Sequence, residues 1–198
     1  MAADLPYGAT PLDPDEEVGL LYTHITTRGE LDELEEANLQ AGLTWARERA
    51  ITGRRTVDVL TEAFLYDLHR RMLGQVWEWA GRVRRTDKNL GVDKRIIREE
   101  IHKLLEDARY WREHGVYDAD ELAIRLHHRL TQIHPFPNGN GRHARMMADL
   151  LVQQLGRPPF SWGGRSLNET SALRAAYIDA LRRADRGDPA SLMAFARA

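Results

Sequence analysis

The strongest constraint on this fold is a break between two helical runs. Leu122, Leu126, Leu130 and Ile133 recur at the spacing of one helix face, and Met146, Met147, Leu150, Leu151 and Leu155 mark another. Between them the chain reads His134-Pro135-Phe136-Pro137-Asn138-Gly139-Asn140-Gly141-Arg142-His143-Ala144-Arg145. Prolines end the first helix, and the glycines let backbone amides come close to a ligand just before the second begins. A helix amino terminus offers free N–H groups and partial positive charge, which suits phosphate. Arg142 and Arg145, three apart, can both point from its first turn toward one polyanion. His134 ends the preceding helix, where it can serve the same pocket as a general base.

Other helices frame this loop. Thr27-Arg28-Gly29-Glu30 matches a capping box, followed by Leu31, Leu34, Asn38 and Trp45. A helix is expected over 57–73, ended by Gly74, and a long one over 94–114, stopped by Gly115. Asp118 and Glu121 start the helix that reaches His134, and two last helices begin near Asn168 and at Asp188-Pro189. The stretch 77–92, with two tryptophans, two glycines and Asp87-Lys88-Asn89, reads as a loop or short hairpin. The expected fold is an all-α bundle with a small β-hairpin, divided into an arm over 1–26 and a domain over 27–198.

Composition narrows the chemistry. With 28 basic and 30 acidic residues among 198, the net charge of −2 gives no general attraction to nucleic acid or an anionic membrane. The absence of cysteine removes disulfides, thiolate metal sites and cysteine nucleophiles. His127, His128, His134 and His143 lack the spacing of a helical zinc site. No apolar run is long enough to span a bilayer, and Met1 to Glu17 lacks a signal-peptide pattern, so a cytoplasmic location is expected.

The segment 134–145 resembles the signature of the Fic (Fic/DOC) family, His-Pro-Phe-x-(Asp/Glu)-Gly-Asn-Gly-Arg-x-x-Arg, at every fixed position but one. Ala9 to Asp15 and Thr23 to Thr27 further resemble a bacterial branch of it, mobile mystery protein B. The resemblance implies a protein adenylyltransferase that moves AMP from ATP to a serine, threonine or tyrosine hydroxyl. His134 would take the hydroxyl proton; Gly139, Asn140 and Gly141 would cradle the phosphates; Arg142 and Arg145 would steady the β- and γ-phosphates. Phe136 would anchor the loop.

The departure is Asn138, which stands where the family has a carboxylate for Mg2+; it implies weaker transfer, another nucleotide or group, or binding without reaction. Retained transfer is the expectation, with a nucleotide-sensing module or a de-AMPylating enzyme as alternatives. Thr86, Asp87, Lys88, Asn89, Leu90 and Gly91 fall where the family's flap pairs with the target's backbone, and equally suit a solvated surface loop. Glu36, beside Glu35, resembles a family inhibitory glutamate and is assigned Arg145 as partner; the two acids otherwise make a solvated helix face. The branch also implies a helix-turn-helix neighbour protein, in the manner of a toxin–antitoxin pair.

Overall fold

A computed structural model describes residues 17, 19–22, 24–25, 27–164 and 171–198. The motif-like stretch 9–15 and the helix start expected near Asn168 lie outside them.

The described chain is a helical bundle. Helix α1 (Arg28–Arg47) opens with the Thr27/Glu30 capping box and runs into a π-helical turn, Glu48–Thr52. Then come α2 (Glu62–Leu73), α3 (Ile97–His114), α4 (Ala119–Ile133), α5 (Asn140–Gln154), α6 (Ser171–Asp185) and α7 (Ala190–Arg197). The apolar stripes read from the sequence meet in one core. Leu65, Leu68 and Met72 of α2, Ile101 and Leu105 of α3, Leu126 and Leu130 of α4, and Met147 and Leu151 of α5 are all buried.

Three departures have local causes. Helix α2 begins at Glu62 rather than near residue 57, because Thr61 caps it by accepting from Phe64 N–H at 3.2 Å. The residues before it bend around Asp58, whose carboxylate takes Leu60 N–H and both terminal nitrogens of Arg112. Pro189 takes the cap position of α7 instead of its first turn. The segment expected as a hairpin forms bends with no ladder of its own; the isolated bridge found among the described residues joins Leu20 to Trp77.

Helix α1 lies on α2 through one stripe: Leu31, Glu35, Asn38, Gly42 and Ala46 are buried while their neighbours face out. Asn38 closes the end of α2, its Nδ2 donating to Arg71 O and its Oδ1 accepting from Gln75 N–H, each at 2.9 Å. At Gly42 a Cβ would stand 2.8 Å from Met72 Cα and 2.9 Å from Arg71 C. Those are backbone atoms, which cannot turn aside as a side chain would. Gly42→Ala should therefore cost about 1–3 kcal/mol, more than the roughly 1 kcal/mol that alanine gains as a helix former. Thermal unfolding should show a lowered Tm. Gly29→Ala in the same helix, with nothing within 4 Å, should leave Tm unchanged or raise it.

Candidate active site

The site is built where α4 stops. His134 ends that helix in the left-handed conformation, φ 51° and ψ 61°, its N–H still bonded to Leu130 O at 3.0 Å. The chain turns through Pro135 to Asn138 and re-enters helix at α5, with Gly139 as cap at φ 75°. That conformation favours glycine, and a Cβ there would in addition push on the end of the Leu73 side chain, with Cδ1 at 2.6 Å.

Two side chains give the turn its shape. Asn140 bonds both ends of its amide to one residue: Oδ1 accepts Phe136 N–H at 2.9 Å and Nδ2 donates to Phe136 O at 2.8 Å. The amide expected on the phosphates is thus directed at the loop itself. Phe136 is fully buried, as expected of an anchor, and stacks on His69 with centroids 3.6 Å apart. His69, which sequence reasoning misses, accepts Gly81 N–H at Nδ1 and donates from Nε2 to Asn138 O. Its proton is fixed by those two partners: an amide can only donate and a carbonyl only accept. Burial keeps His69 well below its ordinary pKa, so it sits neutral between the flap's root and the loop.

The first turn of α5 leaves its amides directed out of the helix end, with Gly141 nearly free of close neighbours. The two arginines part from there. Arg142 Nη1 bonds Glu35 Oε2 at 2.8 Å, and Glu35 Oε1 accepts Trp77 Nε1–H at 2.8 Å. The Arg145 guanidinium lies 5.4 Å from the ring centre of Tyr177 on α6, whose hydroxyl meets His127 Nε2 at 2.9 Å. Burial lowers the Arg145 pKa, although a guanidinium remains charged.

The acid facing the loop is therefore Glu35, and its arginine is Arg142. Glu36, assigned to Arg145 from the sequence, is exposed and accepts from Gln40 Nε2 at 2.8 Å. The reason is helical phase: one residue turns a side chain by about 100°. Glu35 stands four after Leu31 and three before Asn38, on the buried stripe, a signal already in the spacing. A cleft of about 180 Å³ remains between α1 and α5, lined by Leu39, Leu43, Arg142 and Arg145 among others. That is below the roughly 300–1,000 Å³ usual for ligand pockets. A larger cleft of about 290 Å³ between α3 and α4, lined by Lys103, Trp111 and Arg129, includes no residue of the loop.

His134 is buried except for 8% of its surface, and its pKa falls to about 4 through burial and the positive charges of Arg84 and Lys88. It is a neutral imidazole at neutral pH. Across from it runs 86–92, with Leu90 exposed and Gly91 at φ 100°. Asp87 accepts Lys94 N–H at 2.9 Å, which turns the chain back toward α3.

The residues present do not make a resident magnesium site. Asn138 Oδ1 is neutral and already accepts Gly139 N–H. Among the described residues, no three His, Asp or Glu side chains gather to hold a metal. No described helix is long and apolar enough to cross a membrane.

The chain is similar to known proteins over this part. It is 31% identical over 128 residues to protein adenylyltransferase fic-1 of Caenorhabditis elegans, covering 63% of this chain and 24% of that protein. It is 35% identical over 80 residues to uridine 5'-monophosphate transferase of Xanthomonas campestris, covering 36% and 14%. The chain spans about a quarter or less of the length of these curated relatives. In fold it is similar to the BepC protein of Bartonella tribocorum, a crystal structure with bound AMPPNP, at TM-score 0.68 and 18% identity over 93% of this chain and 97% of that one. The Fic/DOC family model matches residues 59–152, which contain α2 to α4, most of α5, the segment 86–92 and the whole of the loop, so this part of the chain is a Fic/DOC family domain.

Proposed function

We propose that this chain is a protein adenylyltransferase, moving AMP from ATP to a hydroxyl of a target protein, and that Glu35 restrains it. The observation that carries the reading is a neutral imidazole, His134, at the start of the turn that leads into a helix amino terminus bearing Arg142 and Arg145. The relatives named as adenylyltransferases support ATP as donor.

The chain's residues would act as follows. The first-turn amides of α5, with Arg145, bind and orient the triphosphate so that its α-phosphorus faces the acceptor. The acceptor oxygen attacks that phosphorus while its proton passes to the His134 imidazole. The bond from the α-phosphorus to the bridging oxygen breaks, and pyrophosphate leaves with that electron pair. A base lowered to about 4 is unprotonated at pH 7 and ready to accept, and such assistance typically adds about 10²–10⁴-fold. Any magnesium would arrive on the nucleotide's own phosphates, since the chain offers no carboxylate at Asn138.

The Glu35–Arg142 pair supports the restraint. A guanidinium already paired with a buried carboxylate offers a phosphate less of its charge and fewer of its donors, and α1 borders the cleft that Arg142 and Arg145 line. The proposal keeps the flap, 86–91, as the edge that registers the target. It also keeps the mobile mystery protein B branch, with its helix-turn-helix neighbour and cytoplasmic setting. The uridylyl-transferring relative makes uridine nucleotides the donor to compare with ATP.

Intact mass after incubation with ATP and magnesium tests the reaction. Glu35→Gly should gain an adenylyl group faster than the parent chain, Glu36→Gly should behave like the parent, and adding His134→Ala to Glu35→Gly should remove the gain. A gain from Glu36→Gly alone would move the restraint back to the exposed acid. Transfer by the His134→Ala double variant would remove His134 as the base.

A pH series gives a second expectation. His69, His127, His134 and His143 are all lowered by burial from an unfolded value of 6.5, His134 and His143 to about 4. Each binds a proton more readily unfolded, so the stability they contribute is complete above about 6.5 and is lost as pH falls through the folded values. Tm should drop on acidification from about pH 7 to 4.5. The transfer rate per folded Glu35→Gly molecule should stay level to about pH 5, well below the usual titration of a histidine base.

A further inference from the structure

Arg84 is among the largest fully buried side chains of the protein, and the transfer chemistry gives it no part beyond its charge. Four of its donor bonds go to backbone carbonyls of the site. Its own N–H bonds Pro135 O at 2.9 Å, and Nε bonds His134 O at 2.7 Å. Nη1 bonds Thr86 O at 2.8 Å, and Nη2 bonds Val92 O. Two of these carbonyls belong to the turn that carries His134; the other two are the feet of the flap. Asp87, an exposed acid, stands 3.6 Å from Nη1.

A second observation places the flap's return limb on the same spot. Val92 N–H bonds Ile133 O at 3.3 Å. At Gly91, a Cβ would meet Arg84 Nη2 at 2.7 Å, His134 Cβ at 2.8 Å and Ile133 O at 3.1 Å. The guanidinium, the flap and the imidazole's own Cβ are thus packed without room for one methyl group. The flap has no ladder of its own, so its height over His134 is set by what bonds its feet. Burying a guanidinium is costly, and apolar packing would close a merely structural gap as well. A planar fork of fixed N–H directions does what apolar packing cannot, holding three carbonyls at set distances from one another.

We propose that Arg84 is a positioning residue that fixes the flap over His134, so that a target paired with the flap presents its hydroxyl to the imidazole. This rests on the transferase reading for its purpose, and on the geometry alone for the holding.

The test uses the full chain with Glu35→Gly as parent, and compares Arg84→Lys, which keeps the charge but loses the fork, and Gly91→Ala, which keeps Arg84 but forces the flap outward. Three quantities are read: transfer rate at saturating ATP, affinity for AMPPNP by calorimetry, and hydrogen exchange followed by mass spectrometry. Both variants should transfer AMP more slowly by about 10²-fold, the order expected of a displacement near 1 Å. AMPPNP affinity should be unchanged, and exchange should rise over 84–92 while α2 stays protected.

Transfer at the parent's rate, or a fall in AMPPNP affinity in step with the rate, would overturn the proposal. So would exchange rising equally in α2, which marks a residue of the fold and not of the site. If the Glu35→Gly parent transfers nothing, the transferase reading falls, and the exchange pattern alone decides whether Arg84 holds the flap.

Discussion

The hydrogen-bonded ring that Asn140 closes on Phe136 holds the rest of the site in register. Both polar atoms of one buried amide meet both backbone groups of one residue, and the Phe136 ring in turn stacks on a buried, neutral His69. A polar group so enclosed is costly unless every bond is made, and cooperative once all are. His69 carries the arrangement outward, to Asn138 on the loop and to Gly81 at the flap's root. The end of one helix, the start of the next and the approach to the flap are therefore fixed by neighbouring contacts, not by separate ones.

That arrangement assigns the two arginines different work. Arg145 is seated on Tyr177 and Tyr177 on His127, so its position belongs to α4 and α6 as much as to its own helix. Arg142 has no such seat; it is held by an acid from another helix. On the proposed reading, one guanidinium is prepared for an anion by packing, whereas the other would exchange one anion for another. The motif makes them look equivalent, three residues apart on one helix. Their surroundings make them unequal.

Much of this is legible in the amino-acid sequence. Helix identity follows from apolar spacing and caps, because the stripes of α2 to α5 are long and regular. The break at the start of α5, with Gly139 in the left-handed conformation as its cap, follows from the glycines of the loop. What is not legible depends on partners distant in sequence. His69 looks like a lone core histidine until Gly81 and Asn138 are placed around it. Arg84 looks like one of several basic residues in a surface loop until its carbonyl partners converge. The expected hairpin does not form because a side chain, not a neighbouring strand, satisfies the flap's backbone. Pairing Glu36 with an arginine of the loop is an error of phase: it follows a family pattern where Leu31 and Asn38 already mark the buried face.

The close approach at Gly42 has a consequence for how the proposed restraint could lift. Helices α1 and α2 touch there backbone to backbone, and Asn38 fastens the same pair one turn away. Helix α1 is thus not a hinged cover, since swinging it away would separate the two helices along their shared face. On the proposed reading Glu35 would leave Arg142 by rotating about its own side-chain bonds, once its bonds to Arg142 and Trp77 open. Carboxylate and triphosphate would then compete for one guanidinium at equilibrium. Such a site behaves less like a closed door than like one holding a tethered competitive inhibitor, displaced more often as nucleotide concentration rises.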